Sequence, residues 1–242
     1  MNSSWEEGFG REVRFPTGPV TLEGNLAVPR GARGIVLFAH GSGSSRFSSR
    51  NRFVAEELKA GGLGTLLIDL LTSAEEEVDV RTREFRFDIP RLGERLVALV
   101  DQLRSGETTR ELRVGLFGSS TGAAAALIAA AERSDAVSAV VSRGGRPDLA
   151  GEHLARARAP TLFIVGGRDE VVIDLNRRAQ QVLGGPSKLE IVPGATHLFE
   201  EPGKLEEVAR LARDWFVSHL AGHDVPPNPR VLPCPLSPAT SL

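Results

Sequence analysis

Hydrophobic residues along this chain fall into short runs that predict β-strands. The first two segments, 12–16 and 20–29, alternate apolar and polar residues, which is typical of a hairpin of half-exposed strands. The other runs are continuously apolar, the pattern of parallel strands that are covered on both faces. These six runs span residues 34–39, 65–70, 113–118, 137–142, 161–166 and 188–193.

Helical patterns lie between most of these runs. Asp88 and Pro90 are typical of the N-cap and first turn of a helix, and segment 121–134 is apolar nearly all round, as in a buried helix. An antiparallel opening followed by strand–helix repeats predicts an α/β fold: a mostly parallel central sheet with helices on both faces. The predicted helices span residues 49–62, 88–106, 121–134, 174–185 and 203–220.

The connections at the carboxyl ends of the predicted strands are short. Residues 70–88 carry no long insertion, and only 18 residues separate the strand at 137–142 from the next one. These lengths leave no room for a sizeable helical cover. We therefore predict that any site at this edge has a minimal lid or none.

The composition is that of a single globular domain with an irregular tail. Of the 242 residues, 41% are hydrophobic and 25% are charged, values that are ordinary for such proteins. No internal repeat or second domain boundary is apparent within residues 1–221, which we interpret as one domain. Residues 222–242 are rich in proline and lack apolar periodicity, so we predict a flexible C-terminal tail.

The charge balance disfavours several classes of partner. The formal net charge is −2, and no basic block indicates binding to nucleic acid or to a membrane. The single cysteine, Cys234, cannot form an intramolecular disulfide, and no signal peptide is apparent, so we expect a cytoplasmic protein. The sequence leaves open whether it is a monomer or a homodimer.

The stretch from Gly118 to Gly122, GSSTG, fits the motif G-x-S-x-G between an apolar strand and a helix. In this context the motif forms a sharp turn that exposes a nucleophilic serine, here Ser120. The flanking glycines are needed because side chains at those positions would collide with neighbouring backbone. The alternative is a strand–helix turn of no chemical interest.

A serine nucleophile needs a base, and the base needs an acid to orient it. His197 follows the last predicted strand in a loop, where an imidazole can reach the carboxyl edge of the sheet. Asp169 follows the strand at 161–166 and gives the chain order Ser, Asp, His. Asp148 is the alternative acid. We expect the remaining histidines to be structural or solvated: His40, His153, His219 and His223.

Acyl transfer also needs two N–H donors for the oxyanion. One is the backbone N–H of the residue after the nucleophile, Thr121, and the other comes from the loop after an earlier strand. That loop reads HGSGSS, so we predict Ser42 as the second donor, with Gly43 close behind it.

These residues make the chain resemble the α/β-hydrolase superfamily, and within it the dienelactone-hydrolase-like family, over residues 12 to 220. The resemblance implies Ser120 as nucleophile, Asp169 as acid and His197 as base, with no metal or organic cofactor. Dienelactone hydrolases proper use a cysteine nucleophile, and the serine here argues against dienelactone as the substrate. The motifs that carry the resemblance are HGSGSS (40–45), GSSTG (118–122), GGRDEVV (166–172) and GATHLF (194–199).

The sequence thus predicts a serine hydrolase that cleaves small or moderately bulky carboxylic esters, including thioesters or lactones, through an acyl-enzyme. An acyltransferase, or a catalytically silent protein that binds a ligand on the same fold, remains the alternative. A dinucleotide site at Gly41-x-Gly43 is disfavoured because Arg46 stands at the third glycine position. Arg46 and Arg143 follow two strands at the predicted edge, so they either bind an anionic group of the substrate or form surface ion pairs.

Overall fold

The computed structural model describes residues 10–220, and its centre is one sheet of eight strands. The strands are β1 (Arg11–Thr17), β2 (Val20–Ala27), β3 (Gly34–Ala39), β4 (Gly64–Ile68), β5 (Arg113–Ser119), β6 (Val137–Arg143), β7 (Thr161–Gly166) and β8 (Ser187–Val192). Their order in the sheet is β1-β2-β4-β3-β5-β6-β7-β8. The β1–β2 and β2–β4 pairs are antiparallel and the others are parallel. The predicted hairpin and parallel strands are confirmed.

Within residues 10–220, seven helices and one 3-10 helix (Pro147–Ala150) lie between these strands or, for the last helix, after them. The helices are α1 (Ser49–Ala60), α2 (Ser73–Thr82), α3 (Ile89–Ser105), α4 (Thr121–Glu132), α5 (His153–Arg156), α6 (Glu170–Val182) and α7 (Lys204–Leu220). Alternate residues of the strands enter two separate apolar cores, because successive strand side chains point to opposite faces. In β3, Leu37 packs with residues of α3, α4 and α6, whereas Phe38 packs with residues of α1 and α7.

Hydrophobic periodicity predicts neither α5, which has only four residues, nor the longer helix α2. Its buried residue is Asp79 rather than an apolar stripe, so hydrophobic periodicity gives no signal there. A sequence signal does exist: Thr72 and Glu75 form a capping box, in which each side chain accepts a hydrogen bond from the other residue's backbone N–H. The short connection after β6 holds the 3-10 helix and the four-residue α5.

The predicted tail at 222–242, including Cys234 and His223, lies outside the described residues. Within residues 10–220, none of the helices combines the length and apolar character that crossing a membrane requires.

Candidate active site

Ser120 occupies the turn between β5 and α4. Its backbone has φ 50° and ψ −120°, a region that residues with a side chain rarely adopt and that costs about 1–3 kcal/mol. Its N–H donates to the carbonyl oxygen of Arg143 at 3.1 Å, and its own carbonyl accepts from the N–H of Arg146 at 3.1 Å. The strained serine is therefore held by the loop that follows β6.

The two motif glycines are required by close backbone contacts. A Cβ atom at Gly118 would lie 2.3 Å from the Cα of Ala123, and one at Gly122 would lie 2.3 Å from the carbonyl oxygen of Ala39. Real Cβ atoms do not come that close to backbone, so neither position accepts a side chain. The steric reason predicted for these glycines is confirmed.

The side chains of His197 and Asp169 are in direct contact. His197 Nδ1 lies 2.6 Å from Asp169 Oδ2, and the imidazole remains 39% exposed. A carboxylate at Nδ1 fixes the tautomer with the proton on that nitrogen, which leaves Nε2 free to accept a proton. Asp169 stands directly after β7, immediately before α6.

The loop that carries His197 is anchored on both sides. A Cβ atom at Gly166 would lie 2.4 Å from the carbonyl oxygen of Thr196, so this glycine allows the histidine loop to approach the end of β7. The Glu201 carboxylate accepts the N–H of Thr196 at 3.1 Å, and backbone hydrogen bonds hold the pKa of Glu201 below its usual range. Phe199, buried with φ 56°, turns the chain inward after His197.

Gly144 lies between the segment that holds Ser120 and the ring of His197. A Cβ atom at this glycine would lie 3.4 Å from Cε1 of His197 and 3.5 Å from its Nδ1, so the imidazole packs against Gly144. The preceding residue, Arg143, accepts the N–H of Ser120. The two-residue segment 143–144 thus contacts both the backbone of Ser120 and the ring of His197.

The predicted oxyanion donors lie together, but one of them is already bonded. Ser42 N–H donates to the hydroxyl oxygen of Thr121 at 3.0 Å. Thr121 is the first residue of α4, where a helix N–H has no acceptor within the helix. Ser42 can therefore serve an oxyanion only if its N–H exchanges the threonine hydroxyl for the substrate oxygen.

His40 has a structural role in the geometry, as the sequence analysis expected. Its Nδ1 donates to the carbonyl oxygen of Gly41 at 2.9 Å, and its Nε2 accepts from the N–H of Leu70 at 3.0 Å. Burial lowers the pKa of His40, so the ring is neutral and joins the loop after β3 to the end of β4.

Asp148, the alternative acid, lies in the 3-10 helix. Its carboxylate accepts two hydrogen bonds from Arg146, at 2.9 and 2.7 Å. Of the two candidate carboxylates, Asp169 is the one in contact with His197. Two further histidines make backbone contacts elsewhere: His153 with Ala150 and His219 with Trp215.

The structure does not support the hypothesis that Arg46 binds substrate. Its guanidinium lies 2.8 Å from Asp69, 3.1 Å from Glu23 and 3.1 Å from Glu12, and the side chain is only 7% exposed. Its backbone N–H also donates to Asp69. The side chain ties the loop after β3 to β2 and β4, so these ion pairs use the donors that a substrate would need.

Arg143 is buried to the same extent but has different surroundings. It is 7% exposed, and its Nε and Nη1 atoms are buried with no hydrogen-bond partner in the part of the chain that the structure describes. Its strand neighbours at the same register are Ser119 and Ile164, and Ser119 donates its hydroxyl to Asn51 of α1 at 3.1 Å. Sequence reasoning did not find this contact, because no local pattern links α1 to β5.

A cleft of about 510 Å³ opens beside the loop after β3, on the side of β4. Phe47 and Val80 give it exposed apolar walls, and the acidic residues Glu76 and Glu77 of α2 line the same cleft. Because α2 was not predicted, these carboxylates were not expected there. The cleft is lined, among others, by His40, Gly43, Phe47, Leu71, Glu76 and Val80.

The class of α/β hydrolases is defined by three features that are present here. They are a strained serine at a strand–helix turn, an Asp–His pair on later loops, here those after β7 and β8, and a mostly parallel sheet. The family model described as "Alpha/beta hydrolase domain" matches residues 32–213. The chain belongs to this family, and its dienelactone-hydrolase-like character is supported by a solved relative. That relative is a dienelactone hydrolase from Anabaena variabilis, 58% identical with a TM-score of 0.85, which covers 86% of this chain and 97% of its own.

Two other comparisons extend this result. The esterase Est1E from Butyrivibrio proteoclasticus, 16% identical with a TM-score of 0.72 over 87% of this chain and 99% of its own, shares the fold. Proteins of two Mycobacterium tuberculosis strains that carry the name "Putative phosphoribosyl transferase" are 59% identical over 211 residues. That match covers 87% of this chain and 47% of theirs, so the chain spans about half the length of these relatives.

Proposed function

We propose that the protein is a serine hydrolase that cleaves small carboxylic esters, including thioesters or lactones, with Ser120, His197 and Asp169 as its catalytic residues. The single observation that carries the proposal is the 2.6 Å contact between Asp169 and His197. The ring of His197 packs against Gly144, and the residue before Gly144 accepts the N–H of the strained Ser120. Family membership supports hydrolysis as the type of reaction.

In this mechanism the Ser120 hydroxyl attacks the carbonyl carbon of the ester while His197 Nε2 takes its proton. Asp169 holds the proton on Nδ1 and stabilises the imidazolium. The N–H groups of Thr121 and Ser42 stabilise the oxyanion, once Ser42 has released the threonine hydroxyl. His197 then gives its proton to the leaving alcohol. Water, activated by the same histidine, hydrolyses the acyl-enzyme and releases the acid.

The test is hydrolysis of 4-nitrophenyl esters with acyl chains of two to twelve carbons, combined with labelling by a fluorophosphonate. We expect the wild type to hydrolyse the short esters and take the label. Ser120→Ala should lose both, with a fall in kcat of at least about 10⁴-fold. Ser119→Ala, the adjacent serine of the motif, is the matched control and should keep the label.

Two results would contradict the proposal. Turnover that persists in Ser120→Ala would assign the nucleophile elsewhere. Absence of both turnover and labelling in the wild type would favour a protein that only binds its ligand. An acyltransferase would instead show turnover that rises with an added alcohol acceptor, with transfer product formed in place of the free acid.

Phosphoribosyl transfer is a second candidate because the Mycobacterium tuberculosis relatives carry that name at 59% identity. The chain spans only about half their length, so the name does not assign the activity to the matched half. We expect no pyrophosphate release from phosphoribosyl pyrophosphate in the presence of a nucleobase. Release that is unchanged in Ser120→Ala would establish this activity as separate from the serine site.

A further inference from the structure

Arg143 is a buried cation without an acceptor for its inner N–H groups. Its Nε and Nη1 atoms are both buried and have no partner among residues 10–220, and the whole residue is 7% exposed. Arginine normally enters a protein interior only when carboxylates or carbonyls satisfy its donors, because an unpaired buried charge is strongly unfavourable. An acceptor added at this position would therefore stabilise the side chain.

The positive charge of Arg50 makes an acceptor for Arg143 more favourable. Burial and the positive charge of Arg50 lower the pKa of Arg143 to about 10. Arg50 lies in the first turn of α1 and is itself only partly paired: its Nη1 donates to Glu200 at 3.0 Å, while its Nε is buried without a partner. Arg50 is thus close enough to Arg143 to repel its charge, and the carboxylate of Glu200, which is 63% exposed, is paired with Arg50.

The position of the pair relates it to Ser120. The carbonyl oxygen of Arg143 accepts the N–H of Ser120, and Gly144, the next residue, packs against the ring of His197. Asn51, the residue after Arg50, contacts Ser119. The two arginines therefore lie beside the carboxyl ends of β5 and β6, next to the place where an ester carbonyl must sit.

We propose that Arg143 and Arg50 form a subsite for an anionic group, a carboxylate or a phosphate, on the substrate. The inference rests on the proposed esterase function and specifies its substrate class. An anion that binds beside Arg50, whose side chain is 33% exposed, supplies an acceptor for these N–H groups when the Arg143 side chain turns toward it, through charge-assisted hydrogen bonds. The cleft beside the loop after β3 is lined by Glu76 and Glu77, whose charge disfavours an anionic group there.

The experiment compares esters that differ only in charge. One pair places the charge on the acyl side: 4-nitrophenyl hydrogen adipate and its methyl ester. The second pair places it on the leaving group: 4-acetoxybenzoate and its methyl ester. For at least one pair, we expect the wild type to prefer the anionic ester in kcat/KM. That preference should fall at least about tenfold in both Arg143→Met and Arg50→Met.

Arg146→Gln is the matched control, because Arg146 follows the same strand but is paired with Asp148. Its preference ratio should stay at the wild-type value. Arg50→Met carries the test if Arg143→Met does not fold, since the Arg50 side chain is 33% exposed. A readout without turnover uses Ser120→Ala: inorganic phosphate should raise its Tm above that in chloride at equal ionic strength. The same salt exchange should not raise the Tm of the double variant with Arg143→Met.

The outcomes separate the two proposals. Hydrolysis of both esters that depends on Ser120, with a preference unaffected by either arginine variant, overturns the subsite and leaves the esterase proposal intact. Failure of every ester and of the serine probe overturns the esterase proposal. In that case the phosphate-dependent shift in Tm decides by itself whether the arginines bind an anion: a shift that requires Arg143 supports the subsite, and its absence rejects it.

Discussion

Arg46 and Arg143 each leave 7% of their surface exposed, yet their surroundings are opposite. Arg46 places Nη1 and Nη2 against Asp69, Glu23 and Glu12, and only its Nε lacks an acceptor. Among residues 10–220, Arg143 has no acceptor for Nε or Nη1, and burial together with the charge of Arg50 lowers its pKa. Burial alone therefore does not tell what an arginine does.

The paired charge of Arg46 stabilises the folded protein, whereas the buried charge of Arg143, which lacks acceptors for Nε and Nη1 among residues 10–220, lowers its free energy of unfolding. Removing one partner of a satisfied ion pair leaves charges without compensation, whereas replacing an unsatisfied buried ion by an apolar group relieves a penalty. Proteins keep unfavourable groups of the second kind mainly where a function needs them. The comparison therefore makes opposite predictions for the same substitution at the two positions.

The largest effect is expected for Arg46→Met. The substitution leaves three carboxylates without their common partner, and they are 21%, 44% and 77% exposed, so water screens part of the loss. We expect the free energy of unfolding to fall by about 2–3 kcal/mol. Urea unfolding monitored by circular dichroism measures it. A loss below about 0.5 kcal/mol would place this cluster among ordinary surface ion pairs.

Arg143→Met is expected to act in the opposite direction. Methionine keeps much of the aliphatic volume and removes a charge without acceptors, so the free energy of unfolding should rise by about 1–2 kcal/mol. The same unfolding experiment applies, with Arg146→Gln as a control that changes stability little. A clear fall in stability would mean that the guanidinium of Arg143 has a partner within the folded chain.

The sequence predicts each arginine's position after a strand but not its surroundings. The order β2-β4-β3 places Glu23 of β2 and Asp69 after β4 next to the loop that carries Arg46. No local pattern reveals that β4 inserts between β2 and β3. Arg143 has β5 and β7 as neighbours, and the residues in register with it, Ser119 and Ile164, offer no carboxylate.

The candidate site was more predictable than the surroundings of the arginines, because a local sequence signal marks the position of each of its residues. Gly118 and Gly122 flank Ser120 at a strand–helix junction, and Asp169 and His197 each follow an apolar run. Motif and chain order were enough to select them. The bond between Ser42 N–H and the Thr121 hydroxyl could not be predicted, since it depends on a side-chain rotamer across the gap between two loops.

A smaller effect concerns acid stability. The hydrogen bond and charge of Arg46 hold the pKa of Glu23 below its usual value. A carboxylate whose pKa is lower in the folded state stabilises the protein above its unfolded pKa, and this contribution is lost as pH falls through the folded pKa. In Arg46→Met only the weaker effect of Arg14 on Glu23 remains, so the loss of stability below about pH 4.5 should be less steep than in the wild type.

Urea midpoints at pH 7, 5, 4 and 3 measure this slope in both proteins. Other carboxylates with lowered pKa, such as Asp79 beside Arg86, are unchanged by the substitution and set the slope that remains. Parallel curves for wild type and variant would show that Arg46 does not act on Glu23 in solution.

The smallest effect is expected at Thr121, where a paired donor must become free for catalysis. Ser42 N–H is bonded to the threonine hydroxyl at 3.0 Å, and a hydrogen bond of this kind contributes about 1 kcal/mol. Thr121→Val keeps the shape of the side chain and removes the acceptor, so Ser42 N–H no longer has to exchange partners before it binds the oxyanion. We expect kcat for 4-nitrophenyl acetate to rise about two- to fivefold, and Thr121→Ser, which keeps the hydroxyl, to give the wild-type rate. A fall in kcat for the valine variant would instead show that the hydroxyl positions the Ser42 loop. Ser42 N–H would then depend on the Thr121 hydroxyl in the resting enzyme, as the Arg46 guanidinium depends on its carboxylates. It would not resemble the Arg143 guanidinium, whose Nε and Nη1 have no acceptor among residues 10–220.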